Sequence, residues 1–222
     1  MGYIGNLNLN TQGGMVNVQN NGAIQNTQVQ NAGGGVTNIA NNGYMQNTSS
    51  NINTWRQNDS GTTNIVNNGH MANLNSVANG NGANFNFVNN GSTNNLNTRT
   101  LHGGVTNIAN TQSGFVNNAS LYDSKDLTNV QNAGAWNNMN LTGYWAGEFN
   151  VHNTSTGSIN NLTTQNVGNK PGSLFNIQND GFINNANINA QGGSVVNFNN
   201  FAGMINNFNG FADNNSHLNI LT

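Results

Sequence analysis

The feature that most constrains this chain is an asparagine lattice with a period near 22 residues. Take the apolar residue of the phrase Asn-Ile-x-Asn as an anchor. It falls at Val18, Ile39, Ile65, Phe87, Ile108, Val130, Val151, Ile177, Phe198 and Ile220, in steps of 21, 22 or 26 residues. Asn precedes every anchor: Asn17, Asn38, Asn64, Asn86, Asn107, Asn129, Asn150, Asn176, Asn197 and Asn219. Asn also stands two residues after every anchor from Asn20 and Asn41 to Asn200, and only Thr222 breaks that column. Self-similarity at such a period marks a solenoid, because one repeat is too small to bury its own apolar face and must stack on the next. Function is then to be sought on a repeating surface.

A second column repeats six to eight residues past each anchor, at Ile24, Met45, Met71, Thr93, Val116, Trp136, Ile159, Ile183 and Ile205. Two residues further on comes Asn26, Asn47, Asn73, Asn95, Asn118, Asn138, Asn161, Asn185 and Asn207; Ile4 and Asn6 join this column at the chain start. A looser third apolar position follows at Leu9, Val29, Val77, Leu121, Leu141 and Ile188.

Within a repeat, short runs alternate with period 2 and carry β-branched residues at the anchors, which reads as strand. Asn-Asn-Gly (Asn41-Asn42-Gly43, Asn67-Asn68-Gly69, Asn89-Asn90-Gly91) reads as a tight turn using residues that tolerate positive φ. Such turns also suit antiparallel hairpins, but a hairpin meander gives no reason to repeat one Asn every coil. Stacked coils do: equivalent side chains lie about 4.8 Å apart and form ladders. The expected fold is all-β, a parallel β-solenoid of about ten coils, the right-handed form favoured, with two or three sheets. Residues 1–222 form one elongated domain. The Asn columns are expected to point inward, where amides donate and accept along the rod. The two 26-residue steps carry insertions, in 48–60 (Trp55, Arg56, Asp59) and 162–173 (Lys170, Pro171), expected to protrude.

Composition narrows the partners. Only 5% of residues are charged, the net charge is −2, and there is one proline and no cysteine. Disordered chains of low hydrophobicity carry high charge or much proline, and this one carries neither. Arg56, Arg99, Lys125 and Lys170 are scattered, so no stripe exists to neutralise nucleic-acid phosphates. No apolar run is long enough for a membrane-spanning helix. The start, Met-Gly-Tyr-Ile-Gly, does not read as a signal peptide, so an extracellular form is expected to be a mature or excised piece.

No catalytic, cofactor or metal site is expected. The acids Asp59, Asp123, Asp126, Glu148, Asp180 and Asp213 lie in different coils, and the one close pair, Asp123 and Asp126 around Lys125, reads as a solvated loop. His70, His102, His152 and His217 occupy four different phases, whereas a metal needs converging ligands. Phe87, Phe198 and Trp136 read as core fillers. Tyr3, Tyr44 and Phe182 should face outward, where aromatics can contact sugars. Thr37, Thr63, Thr106 and Thr128 share one phase, a weak hint of an ice-binding array interrupted by Val16, Phe85, Phe149, Phe175, Val196 and Leu218.

Asn21-Gly22-Ala23-Ile24-Gln25-Asn26 and Asp180-Gly181-Phe182-Ile183-Asn184-Asn185 resemble coils of secreted bacterial β-helices. The likeness is to filamentous-haemagglutinin-like adhesins and to the passenger segments of vacuolating-cytotoxin-like autotransporters. The resemblance implies a secreted or cell-surface location in a Gram-negative bacterium and a role in adhesion or as a fibre. The rhythm is also similar to curli-type functional amyloid, without its Ser…Gln…Gln spacing.

The expected function is therefore non-enzymatic: a segment or subunit of an extracellular fibre that stacks on itself. An adhesin or toxin passenger binding glycans or proteins is the alternative, and an amyloid-like matrix protein a further one. The end-to-end contact is expected at Met1, Gly2, Ile4, Ile220 and Thr222. Joined head to tail, Thr222-Met1-Gly2-Tyr3-Ile4 falls on the template Asn20-Asn21-Gly22-Ala23-Ile24.

Overall fold

In a computed structural model, which describes residues 2–54, 60–167 and 172–222, the chain is a parallel β-solenoid of ten coils. Each coil contributes one strand to each of two ten-stranded sheets. The odd strands, from β1 (Tyr3–Gln12) and β3 (Ala23–Ala32) to β19 (Met204–Ala212), build a long sheet. The even strands, from β2 (Met15–Asn20) and β4 (Gly35–Asn41) to β20 (His217–Leu221), build a short one. There is no third sheet, and no antiparallel hairpin among the described residues. Insertion residues Trp55, Arg56, Asp59, Lys170 and Pro171, and Met1, lie outside the described residues.

Register follows the Asn lattice. Asn17 pairs with Asn38, Asn38 with Asn64, and Ile39 with Ile65 in the short sheet. Ile4 pairs with Ile24 and Asn6 with Asn26 in the long one. The short sheet alternates strictly: in β4, Gly35, Thr37, Ile39 and Asn41 point inward, and Val36, Asn38 and Ala40 outward. The long strands break the alternation once. In β3, Gln25 and Asn26 are both exposed before Thr27, Val29 and Asn31 turn inward, so the strand bends between them.

That bend corrects two sequence expectations. The third apolar column is really two, one through Leu74, Leu96, Met139 and Leu162 and one through Val29, Leu121, Leu141 and Ile188, all buried. Val77 belongs to neither; it faces outward beside the buried Ser76. The anchors fill the core together with Phe85, Trp136, and Phe149 stacked on Phe175 with ring centroids 5.1 Å apart. The Thr37, Thr63, Thr106 and Thr128 column is buried in the same core, so it offers no surface array to ice.

The turn from short to long sheet, here the glycine edge, also departs from expectation. Its glycines do not adopt positive φ. They are required by stacking: a Cβ on Gly22, Gly43, Gly69 or Gly91 would fall well inside contact distance of the carbonyl oxygen of Gly2, Gly22, Gly43 or Gly69 in the coil before. Those same carbonyls accept the N–H of Ala23, Tyr44, His70 and Ser92 at 2.9–3.0 Å. Positive φ occurs instead at the opposite, variable edge, at Gly33, Gly34, Gly103, Gly192 and Gly193 among others.

Candidate functional site

The most regular element of the molecule is the Asn column two residues after each anchor. It lies inside the rod against the glycine edge. Asn20, Asn41, Asn67, Asn89, Asn110, Asn132, Asn153 and Asn179 are at most 5% exposed. Each Nδ2 donates to the Oδ1 of the next coil at 2.7–2.9 Å. From Asn20 to Asn153 it donates a second bond to a backbone carbonyl at the start of a long strand, for example Tyr44 O, His70 O and Phe115 O. Buried amides are tolerated here because both N–H groups are used.

The Asn columns singled out for inward ladders make ladders, but on the outside. Asn38, Asn64, Asn86, Asn107, Asn129, Asn150, Asn176 and Asn197 are half-buried on the outer face of the short sheet, and Asn17 and Asn219 are exposed at its ends. Asn26, Asn47, Asn73, Asn95, Asn118, Asn138, Asn161, Asn185 and Asn207 line the bend of the long sheet, exposed or half-buried. The physical reason is parity: a residue adjacent to an inward anchor must face out, and the bend turns out the second residue after the second anchor, Asn26 in β3. Bond direction also differs. Each outer Nδ2 donates backward, as from Asn38 to Asn17 and from Asn219 to Asn197 at 2.8 and 2.9 Å, and from Asn26 to Asn6 and Asn207 to Asn185 at 2.9 Å. Inner amides donate forward. Sequence reasoning also missed a third outer ladder at the turn, Asn21–Asn42–Asn68–Asn90; its signal was the Asn-Asn-Gly phrase itself.

Two surface features interrupt the lattice. The outer face of the short sheet forms an open trough of about 670 Å³ along Asn86, Asn107, Asn129, Asn150 and Asn176, walled by residues such as Val88, Gln131 and His152. Near the variable edge, Arg99 sits over Tyr122 at 5.3 Å. Tyr122 stacks on Tyr144, Tyr144 on Trp145, and Lys125 Nζ lies 4.7 Å from the Trp145 ring. Tyr3 and Tyr44 face outward as expected, Tyr44 stacked on His70 at 5.4 Å, and Phe182 is half-buried on the same face.

Beneath the aromatic stack the sequence reading fails most clearly. Asp123 and Asp126 are not solvated: they are 0% and 8% exposed. Thr128 Oγ1 donates to Asp123 Oδ2 at 2.8 Å, and the Asp126 N–H donates to Asp123 Oδ1 at 3.0 Å. The Gly103 N–H donates to Asp126 Oδ1, while Asp126 Oδ2 is buried without a partner. Burial pushes the Asp123 carboxyl up to about 7, helped by the nearby charges of Asp126 and Glu148 against the Thr128 hydrogen bond. Burial raises Asp126 to about 6, opposed by backbone donors and by His102 and Lys125. The missed signal is again parity: Asp123 lies two residues after the inward Leu121.

His152 Nε2 contacts Asp180 Oδ2 at 2.8 Å. Among the described residues no three His, Asp or Glu side chains converge as metal ligands, and no helix is long and apolar enough to cross a membrane. Comparison with known protein families, characterised proteins and solved structures finds no match to this chain. The architecture defines the class: a parallel β-solenoid of ten coils with buried Asn and Thr columns.

Proposed function

We propose that this protein is a non-enzymatic structural segment or subunit of an extracellular or cell-surface bacterial fibre, stacking coil on coil with further runs of the same repeat. One observation carries the reading: the two end faces are open and complementary. Of the inward columns, the first coil leaves Ile4 at 44% exposed, and the last leaves Phe208 and Ile220 at 37 and 49%. Both faces thus carry uncovered apolar side chains and unpaired strand edges, which template further pairing. The ladders give the faces polarity. Because outer amides donate backward, Asn17 and Asn6 offer Nδ2 donors at the first face, and Asn219 and Asn207 offer Oδ1 acceptors at the last. Head-to-tail stacking joins donor to acceptor; head-to-head does not. Gly2 also takes the place of the edge glycine.

The likeness to haemagglutinin-like and cytotoxin-like passenger β-helices supports the same location. A second reading, an adhesin that binds glycans, is favoured by the Arg99–Tyr122–Tyr144–Trp145–Lys125 patch, since rings flanked by cations suit acidic sugars. Electron microscopy of the purified chain at rising concentration tests the first reading. Rods lengthening in units of about 48 Å, ten coils at strand spacing, are expected; rods of a single length at every concentration contradict it. Loss of cell or glycan binding on Trp145→Ala, without loss of rods, would favour the second.

A further inference from the structure

In several coils the corner where the long strand turns inward to the short one holds a polar pair, while Ile52, Ala78 and Gly143 fill the same column in others. In coil 2, Thr37 Oγ1 donates to Asn31 Oδ1 at 2.9 Å. In coil 5 the equivalent pair is Thr100 with Thr106 at 2.8 Å. In coil 8, Ser173 Oγ donates to Asn166 Oδ1 at 2.9 Å. Coil 6 makes the same bond from Thr128, but to Asp123. Asn31, Thr100, Asp123 and Asn166 stand in one register column. A neutral amide or hydroxyl therefore accepts the corner bond in those coils, whereas Asp123 accepts the Asp126 N–H as well and alone in the column carries a removable proton.

The surroundings amplify that proton. The charges of Asp126 and Glu148 act on Asp123, and the charge of Asp123 acts on Tyr122, which faces outward on the same strand. His102 and Lys125 face Asp126 from the surface, and Arg99 is engaged over Tyr122. Among the described residues the non-glycine positions with positive φ are His102, Lys125, Trp145 and Ala146, all at this edge in coils 5 to 7. Backbone held in that region persists only where packing enforces it.

We infer that the coil 6 corner is a proton-controlled latch: with Asp123 and Asp126 protonated the edge is closed, and their ionisation loosens the turns of coils 5 to 7 and frees Trp145 and Lys125 from the surface stack. The direction is fixed by linkage. A carboxyl whose folded value lies above its unfolded one stabilises the fold fully in acid, and that contribution is lost as pH rises through the folded value. Loosening is thus expected as pH passes about 6 and about 7. The inference holds whether or not the coils assemble into a fibre.

The test is thermal melting and tryptophan emission of the full chain between about pH 5 and about pH 8. The melting midpoint should fall with pH, and emission should change between about 6 and about 7. Asp123→Asn should flatten most of both, its amide oxygen keeping one of the two bonds that Asp123 accepts. Trp145→Phe should remove the emission change and keep the melting trend, and His102→Gln should keep both. A flat wild-type profile overturns the latch without recourse to any variant. So does a transition that survives Asp123→Asn and disappears in His102→Gln.

Discussion

At the glycine edge successive turns repeat one residue, with Gly2, Gly22, Gly43, Gly69, Gly91, Gly114, Gly134, Gly157, Gly181 and Gly203 in line; at the variable edge no two adjacent turns share a sequence. The two edges perform the same reversal between sheets. The first does so with no tolerance for a side chain, because each glycine stacks on the carbonyl of the coil before, and the buried Asn ladder runs beside it. The second relies on backbone that can turn through positive φ and accommodates a buried acid pair and an aromatic stack. A repeat protein is close to one-dimensional, each coil answering only to its neighbours. Invariance along one edge is enough to hold register, which leaves the other free to vary.

The largest effect should come from placing a side chain on the invariant edge. In Gly69→Ala the Cβ collides with the Gly43 carbonyl and the Asn42 backbone, neither of which can swing away. A loss of about 4 kcal/mol, near the upper end for a point change, is expected in denaturant unfolding. Gly33→Ala, at the variable edge, meets no atom within 4 Å and bears only the positive-φ penalty, about 1 kcal/mol.

Next comes the inner ladder. Asn89→Leu removes the acceptor for Asn67 and the donors to Asn110 and Phe115 O, for a loss of roughly 3 kcal/mol at about 1–3 per orphaned buried group. Asn107→Leu breaks an outer ladder between Asn86 and Asn129, where water can replace the lost partners. It should cost under about 1 kcal/mol. Equal losses at Asn89 and Asn107 would remove the distinction between inner and outer columns. The smallest effect, of opposite sign, is expected at Thr98, whose hydroxyl is buried without a partner. Thr98→Val should be neutral or stabilising by up to about 1 kcal/mol.

The solenoid, the coil number and the columns were legible in the sequence, because one side chain per coil repeats without fail. The facing of those columns was only partly legible. Asn38 and Asn41 look alike in the repeat, but Asn41 shares the parity of the inward Ile39 and Asn38 does not. The bend after Gln25 resets the parity of the long strands. It carries Asn26 outward and brings Thr27 inward, and no turn residue marks it in the sequence. The same reset hid the Leu74, Leu96 and Leu162 column. Asp123 and Asp126 looked solvated because Asp-Ser-Lys-Asp has the composition of a loop. Register decides otherwise, since Asp123 is the last inward residue of its strand (Phe115–Ser124).

Hydrogen exchange read peptide by peptide tests the contrast between the edges most directly. If the glycine edge is the spine, amides there, such as Gly69, Gly91 and Ser92, which donate to Asn41, Asn67 and Gly69 carbonyls at 2.9–3.0 Å, should exchange only with global unfolding. Amides at the variable edge, such as Gly103 and Asp126, should open earlier and independently. Equal protection at the two edges, or faster exchange at the glycine edge, would contradict the account.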